Sequence, residues 1–141
     1  MSDVNFYSES VDFQIENPIS YIDWIDNSIQ NESLKTGEIS VIFTSDDYLL
    51  KVNQDNLNHD FYTDIITFDY CVDKIVNGDL FISIDRVMDN ARHFDVTFED
   101  ELSRVIIHGV LHLCGYKDKS EVEKRTMREK ENFYLSLHSK N

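Results

Sequence analysis

The 141-residue sequence has only two cysteines, one proline and four glycines, and its 13 basic residues are outnumbered by 27 acidic ones. Two cysteines cannot build a disulfide framework, which favours a reducing cytoplasm. With so little proline and glycine there is no flexible linker, so residues 1–141 are expected to form a single domain. No stretch approaches the ~20 apolar residues of a membrane span, and Met1-Ser2-Asp3 does not resemble the start of a signal peptide. We therefore expect a cytoplasmic protein with no membrane partner.

The shortage of lysine and arginine argues against nucleic acid as a partner, because phosphate binding depends on these side chains. The net charge of -14 is unevenly distributed, however. Residues 1–104 contain 6 basic and 22 acidic side chains, whereas residues 117–141 contain 7 basic and 5 acidic ones. The C-terminal segment therefore offers either a local basic surface for phosphates or a solvated helix face with paired charges. Its cations include Lys117, Lys119, Lys124, Arg125 and Arg128.

Apolar periodicity and capping residues predict a mixture of strands and helices. Strands are predicted over residues 38–45, 63–70 and 79–84, and residues 4–15 are a candidate edge strand. Helices are predicted over residues 18–34, 45–52, 85–93, 97–114 and 120–137, with Asn17, Ser45, Thr97 and Ser120 as N-caps. We expect an α+β fold, similar to α/β, with one small mixed sheet of about four strands packed against about five helices. The order of the strands does not follow from these patterns.

One segment, IHGVLHLCGYKDK at residues 107–119, contains candidate metal ligands. His108 and His112 are four residues apart, so on a helix their imidazoles lie on one face and reach adjacent coordination positions. Gly115 follows where a helix commonly ends in a left-handed turn, and that reversal would return Asp118 as a third ligand. Three protein ligands leave one position for water, as in catalytic zinc sites. The alternative is two unrelated histidines, but imidazoles in so apolar a helix need polar partners.

A metal at this position would lower the pKa of a bound water towards ~7 and polarise a phosphoryl or carbonyl oxygen. The spacing is similar to that of H-E-x-x-H metalloproteases, whose Glu after the first histidine is the general base. This sequence has Gly109 at that position, and glycine cannot accept a proton. A minimal metallopeptidase is therefore the less favoured hypothesis, since it would need a base from outside the helix.

Three ordered motifs extend the pattern. His108-Gly109, Leu111-His112-Leu113 and Gly115-Tyr116 fit H-G-x-L-H-L-x-G-Y, residues 63–68 (TDIITF) are similar to T-D-V-L-S-F, and residues 78–83 (GDLFIS) to G-D-I-x-I-S. In this order and spacing they resemble the YbeY family of metal-dependent endoribonucleases, also called ribosomal RNA maturation factors. The resemblance covers about residues 39–134.

The resemblance implies a cytoplasmic, single-strand-specific and zinc-dependent endoribonuclease. Such proteins act in 3′-end maturation of small-subunit (16S) ribosomal RNA and in ribosome quality control. The implied partners are single-stranded RNA and the small ribosomal subunit with its proteins. A ribosome-assembly or RNA-binding factor whose metal is mainly structural is the alternative hypothesis. The oligomeric state is not predicted.

The sequence departs from the family pattern at two positions. Asp118 replaces the usual third histidine ligand; a carboxylate is a suitable zinc ligand, but it is harder than imidazole and also suits other divalent metals. Aligning on Asn53 places Leu57 where the family commonly has an arginine, which slightly favours the RNA-binding alternative.

Other site residues are candidates of lower rank. Asp64 is a candidate general base or acceptor for a metal-bound histidine, or alternatively an ordinary acid at a strand start. Ser83 is a candidate catalytic or cleft residue, although sheet faces routinely carry serine. Lys117, Lys119 and Arg125 are the candidate RNA-binding residues, because they lie beside the predicted metal ligands along the chain.

Overall fold

The structure is a computed structural model that describes residues 3–57 and 62–138, without the side chains of residues 56 and 57. The replacement of arginine by Leu57 therefore lies outside the described side chains. Within the described residues the chain forms four strands and five helices. In chain order these are β1 (Asp3–Glu9), α1 (Pro18–Asn31), β2 (Lys35–Thr44), α2 (Asp46–Leu57), β3 (Ile65–Asp69), β4 (Ile75–Ser83), α3 (Ile84–His93), α4 (Phe98–Leu113) and α5 (Glu121–Ser136).

The four strands form one mixed sheet in the order β1-β2-β4-β3. β1 and β4 pair parallel with the two sides of β2, whereas β3 pairs antiparallel with β4. Leu80 of β4 is central to this sheet, since it is opposite Val41 on one side and Thr67 on the other. The predicted α+β class with one small mixed sheet and five helices is confirmed.

The hydrophobic core lies between this sheet and two helices, α1 and α4. Ile106, Ile107 and Leu111 of α4 are almost completely buried, as are Leu80 and Ile82 of β4. Gly109 permits the close approach of α4, because a Cβ at this position would lie 2.6 Å from Ile65 Cδ1 and 2.9 Å from Leu80 Cδ2. α5 packs on α4 and α3 packs on its other flank, so α4 is held on several sides.

Side-chain caps fix three of the helix starts as predicted. The Ser45 hydroxyl accepts a hydrogen bond from Tyr48 N (3.1 Å), and Thr97 accepts one from Asp100 N (3.1 Å). Ser120 and Glu123 form a reciprocal capping box at the start of α5. The last two caps fix the start of α4, which carries His108 and His112, and the start of α5, which follows the loop that contains Asp118.

Asn17 occupies the N-cap position of α1 and Pro18 is the first helical residue, as predicted, but the Asn17 side chain does not cap the helix. Asn17 precedes α1 but has a left-handed backbone (φ 53°) and makes no capping hydrogen bond, whereas side-chain caps require an extended backbone. Several boundaries also differ, among them the end of β1 at Glu9 rather than residue 15, the end of α2 at Leu57 rather than residue 52 and the start of β4 at Ile75 rather than residue 79. β2 begins at Lys35, before the predicted residue 38, and Ile84 opens α3 because Ser83 caps that helix and ends the strand.

No helix within residues 3–57 and 62–138 combines the length and the apolar character that a bilayer crossing requires.

Candidate metal centre

His108 and His112 lie one turn apart on α4, and their Nε2 atoms are 3.0 Å from each other. Asp118 Oδ2 is 3.2 Å from His108 Nε2 and 3.3 Å from His112 Nε2. Three donor atoms therefore converge on one point, and together they could hold a metal ion. The two histidines and the aspartate that the sequence singled out are brought together in space.

The loop after α4 is responsible for this convergence. Gly115 has φ +107°, the left-handed conformation that glycine adopts at little cost. Gly115 N donates to the His112 carbonyl (3.0 Å) and Tyr116 N donates to the Leu111 carbonyl (3.0 Å), closing the end of the helix. The chain then turns back beside α4, which returns Asp118 to the histidines.

The second nitrogen of each imidazole is already engaged. His112 Nδ1 lies 2.9 Å from the Tyr116 carbonyl oxygen, and His108 Nδ1 lies 2.6 Å from Glu131 Oε2. A carbonyl and a carboxylate only accept hydrogen bonds, so both Nδ1 atoms carry a proton, and the Nε2 atom of each ring is the one left to ligate a metal. Two lone pairs and a carboxylate oxygen at this separation repel one another, and a cation between them removes that repulsion. The donor set therefore fits a divalent metal.

Electrostatics around His108 place its Nδ1 proton against an ionised carboxylate and favour positive charge at this position. Burial lowers the pKa of His108, but the hydrogen bond and charge of Glu131, with the charges of Asp118 and Asp64, outweigh it and raise the pKa overall. Burial acts on Glu131 in the opposite direction, yet its hydrogen bonds with His108 and Arg104 bring the pKa below its usual value. Glu131 is therefore ionised at neutral pH and accepts from the imidazole.

Glu32, at the end of α1, anchors the loop from behind. Its carboxylate accepts hydrogen bonds from Tyr116 Oη (2.6 Å), from Lys130 Nζ (3.2 Å) and from Tyr134 Oη. Burial raises the pKa of Glu32, but these three donors lower it overall. Because the Tyr116 carbonyl holds His112, this cluster connects α1, the loop and α5 to one metal ligand.

A cleft of about 760 Å³ opens beside the candidate metal ligands. The residues that line this cleft include His108, Asp118 and Glu131 of the candidate metal centre. They also include two further acidic residues, Asp64 and Glu101. Burial raises the pKa of Asp64, and burial together with the charge of Asp64 raises the pKa of Glu101. The cleft thus presents metal-ligating groups beside two carboxyl groups that hold protons more readily than usual.

The other candidate residues are placed differently. Ser83 is fully buried, donates to Asp46 Oδ1 (3.0 Å) and caps α3, so it is not among the described residues that line the cleft. Lys117, Lys119 and Arg125 are exposed beyond the cleft lining, with the two lysines on either side of Asp118 in the chain.

Sequence reasoning missed four residues of the cleft and its support: Glu101, Arg104, Glu131 and Glu32. Glu101 and Arg104 precede His108 by seven and four residues, a spacing that places them on its helix face. That spacing was a usable signal. Glu131 and Glu32 come from other helices, and nothing in the local sequence indicates that they meet the site.

Known proteins are similar to this chain over almost its whole length. The family model of endoribonuclease YbeY matches residues 4–138. The endoribonuclease YbeY of Flavobacterium psychrophilum is 50% identical over 131 residues, which are 93% of this chain and 94% of that protein. The endoribonuclease YbeY of Porphyromonas gingivalis is also 50% identical, with 93% and 87% covered. The solution structure of TM1509 from Thermotoga maritima matches with a TM-score of 0.66 at 28% identity, covering 94% of this chain and 87% of that one. The chain therefore belongs to the endoribonuclease YbeY family.

Proposed function

We propose that this protein is a metal-dependent endoribonuclease that acts in ribosomal RNA processing, with zinc held by His108, His112 and Asp118. We further propose that it cleaves single-stranded RNA at the 3′ end of small-subunit ribosomal RNA, and that it serves ribosome quality control, in the cytoplasm. The whole chain would act as one domain. The observation that carries the proposal is the convergence of three ligand atoms at the edge of a cleft, with both imidazoles oriented from behind.

Two imidazole nitrogens and one carboxylate oxygen form a ligand set that suits zinc. Zinc at this position would supply Lewis acidity and lower the pKa of a bound water towards ~7. The third ligand is harder than the histidine usual in the family, so manganese and other divalent ions are the competitors to test.

The chain's own side chains provide the remaining functions of the site. Glu131 holds the ring of His108 in its tautomer and orientation. Asp64 and Glu101, whose raised pKa values favour the protonated form, are placed to hold or deliver a proton in the cleft. Arg104 and Arg128 also line the cleft, where both pair with Glu131 and favour its ionised form.

The experiment removes the two imidazoles together. The His108→Ala/His112→Ala protein is expected to contain no stoichiometric metal and to leave single-stranded RNA intact, whereas the parent cleaves it and spares a duplex of the same sequence. His93→Ala is the matched control for metal content, because His93 is an exposed histidine on α3 that is not among the described residues lining the cleft. Full metal content in the double variant would refute the assignment.

Asp118 is tested by the residue usual in the family. Asp118→His is expected to keep or tighten zinc binding, because a neutral imidazole is also a good zinc ligand. A large loss of zinc affinity, measured by competition with a chromophoric chelator, would show that Asp118 does not ligate the metal.

The same assay separates the alternatives. Equal cleavage of RNA by the parent and the double variant would indicate a contaminant and favour an RNA-binding factor with a mainly structural metal. The metallopeptidase alternative is weakened by Gly109, since its Cβ direction faces Ile65 and Leu80 of the sheet, where no general base fits. Metal-dependent hydrolysis of casein would restore it.

A further inference from the structure

The charged side chains of the cleft are expected to attract the phosphates of RNA only weakly. The two arginines that line it are already paired with Glu131, Arg104 Nη1 at 2.8 Å and Arg128 Nη1 at 3.8 Å. Arg104 also donates to Asn132 (3.0 Å). Carboxylates outnumber these cations among the described lining residues: Asp64, Asp100, Glu101, Asp118 and Glu131. An RNA strand held in this cleft must therefore gain affinity from contacts other than those to phosphate.

Phe94 supplies an apolar surface in the same cleft. Its side chain lines the cleft and is 59% exposed, and Val96 beside it is 43% exposed. Asn90 lines the cleft as well and contributes an amide with both donor and acceptor atoms. An exposed aromatic ring, a neighbouring apolar group and an amide are the elements with which proteins hold unstacked nucleobases.

The backbone keeps this ring in place. Phe94 follows the last residue of α3, and its N–H donates to the Asn90 carbonyl (2.9 Å). Asp95 takes the left-handed conformation (φ 56°), and Val96 N then donates to the Ala91 carbonyl (3.0 Å). This closed helix end fixes the backbone of Phe94, and the His93 ring packs edge-on against the Phe94 ring (centroids 5.1 Å apart), so a ligand that stacks there does not have to order the backbone.

We propose that Phe94 is the stacking platform for one nucleobase of a single-stranded RNA, with the Asn90 amide facing the edge of that base. This subsite rests on the proposed function, because it gives the RNA a second attachment in the cleft that carries His108 and Asp118. A base must be unpaired to stack there, so the subsite also accounts for a preference for single strands over duplex. Stacking accepts every base, and the subsite therefore confers little sequence preference.

The test measures binding of a short single-stranded RNA with a 5′ fluorescein by fluorescence anisotropy, and a denaturing gel confirms that the RNA stays intact. Phe94→Ala is expected to weaken binding about 5- to 150-fold, the range that alanine substitution gives for one stacked base. Phe94→Trp keeps an aromatic face and is expected to restore the affinity. Zinc content and urea unfolding of both variants are expected to match the parent.

Phe133→Ala is the matched control. Phe133 is 46% exposed on α5 and is not among the described residues lining the cleft, so its removal is expected to leave RNA binding unchanged. An RNA series with a single abasic position adds a second check. One abasic position is expected to weaken binding to the parent but not to Phe94→Ala, because the variant has already lost that contact.

Parental affinity in Phe94→Ala, or an equal loss in Phe133→Ala, would overturn the subsite. A loss of affinity in Phe94→Ala that Phe94→Trp does not restore would also overturn the subsite. So would an abasic series in which the parent protein loses the same affinity at every abasic position. Binding and cleavage are read separately. A parent protein that binds RNA through Phe94 without metal-dependent cleavage contradicts the proposed nuclease but supports the subsite. Metal-dependent cleavage by the parent, together with normal RNA binding by Phe94→Ala, supports the proposed nuclease but contradicts the subsite.

Discussion

Replacing Glu131 tests whether the metal centre depends on the carboxylate behind His108. Glu131 is only 4% exposed, and its Oε2 lies 2.6 Å from His108 Nδ1 while its Oε1 accepts from Arg104 at 2.8 Å. A charged acceptor at this distance makes His108 a stronger ligand and holds the ring at the angle that the metal requires. We therefore expect Glu131→Gln and Glu131→Ala to bind zinc more weakly than the parent.

The size of the loss follows from what each variant retains. Removing the outer partner of a metal-bound histidine typically costs 10- to 100-fold in affinity, about 1.4–2.7 kcal/mol. Glutamine has nearly the same shape as Glu131, and its carbonyl oxygen still accepts from the imidazole, so Glu131→Gln is expected near the 10-fold end. Alanine leaves both His108 Nδ1 and Arg104 without this acceptor, and Glu131→Ala is expected near the 100-fold end.

The assay is competition for zinc with a chromophoric chelator. Glu129→Gln is the matched control, because Glu129 lies exposed on the same helix and the substitution removes the same charge. Circular dichroism verifies that each variant keeps its helices. Parental zinc affinity in both Glu131 variants, or a loss of the same size in Glu129→Gln, would refute the reasoning.

Three further substitutions test the frame around the site by urea unfolding. Tyr116→Phe removes one of three donors to Glu32 and is expected to lower the free energy of unfolding by about 1.5 kcal/mol. Gly78→Ala places a Cβ 2.6 Å from the Phe68 carbonyl oxygen, where the backbone of the sheet cannot yield, and is expected to cost about 1–3 kcal/mol. Glu101→Gln is expected to stabilise the protein at neutral pH, because burial and a neighbouring carboxylate raise the pKa of Glu101 and its ionisation opposes folding. That gain should grow as the pH rises from 4.5, the ordinary pKa of glutamate, through the raised folded-state pKa.

Each of these predictions has an outcome that contradicts it. A Tyr116→Phe protein as stable as the parent would mean that the hydroxyl does not anchor the loop. Parental stability in Gly78→Ala would mean that the strands can separate locally to admit a methyl group. A stability gain in Glu101→Gln that shrinks as the pH rises would mean that the folded state favours the ionised carboxylate.

The convergence of His108, His112 and Asp118 was predictable because its geometry is local. Helical spacing alone puts His108 and His112 on one face, and a left-handed Gly115 reverses the chain within a few residues. The support for these ligands was not predictable. Glu131 follows His108 by 23 residues on a separate helix, and Glu32 is 84 residues from its partner Tyr116. Such contacts depend on how the helices pack, which no local pattern records.

The strands and helices were also easier to predict from the sequence than their arrangement in the fold. Alternating and periodic apolar residues located the strands and helices, but the placement of β2 between β1 and β4 depends on pairing between distant segments. Ser83 shows the same limit at one residue. In sequence it belongs to a strand that could face a cleft, whereas in the structure its hydroxyl caps a helix and is fully buried.

The division of the metal centre among α4, the loop after it and α5 links metal binding to folding. The candidate ligands are on α4 and the loop, while Glu131 on α5 holds one imidazole ring and the loop backbone holds the other. A cation that binds only this assembled arrangement stabilises the folded protein by about 2.7 kcal/mol at a free concentration 100 times its Kd. Chelation removes this stabilisation from the loop and α5, whereas the central strands keep the contacts that stabilise them. Amide hydrogens of the loop and α5 are therefore expected to exchange with solvent first after chelation. Their exchange rates along the whole of α5 would then show whether the metal site is occupied.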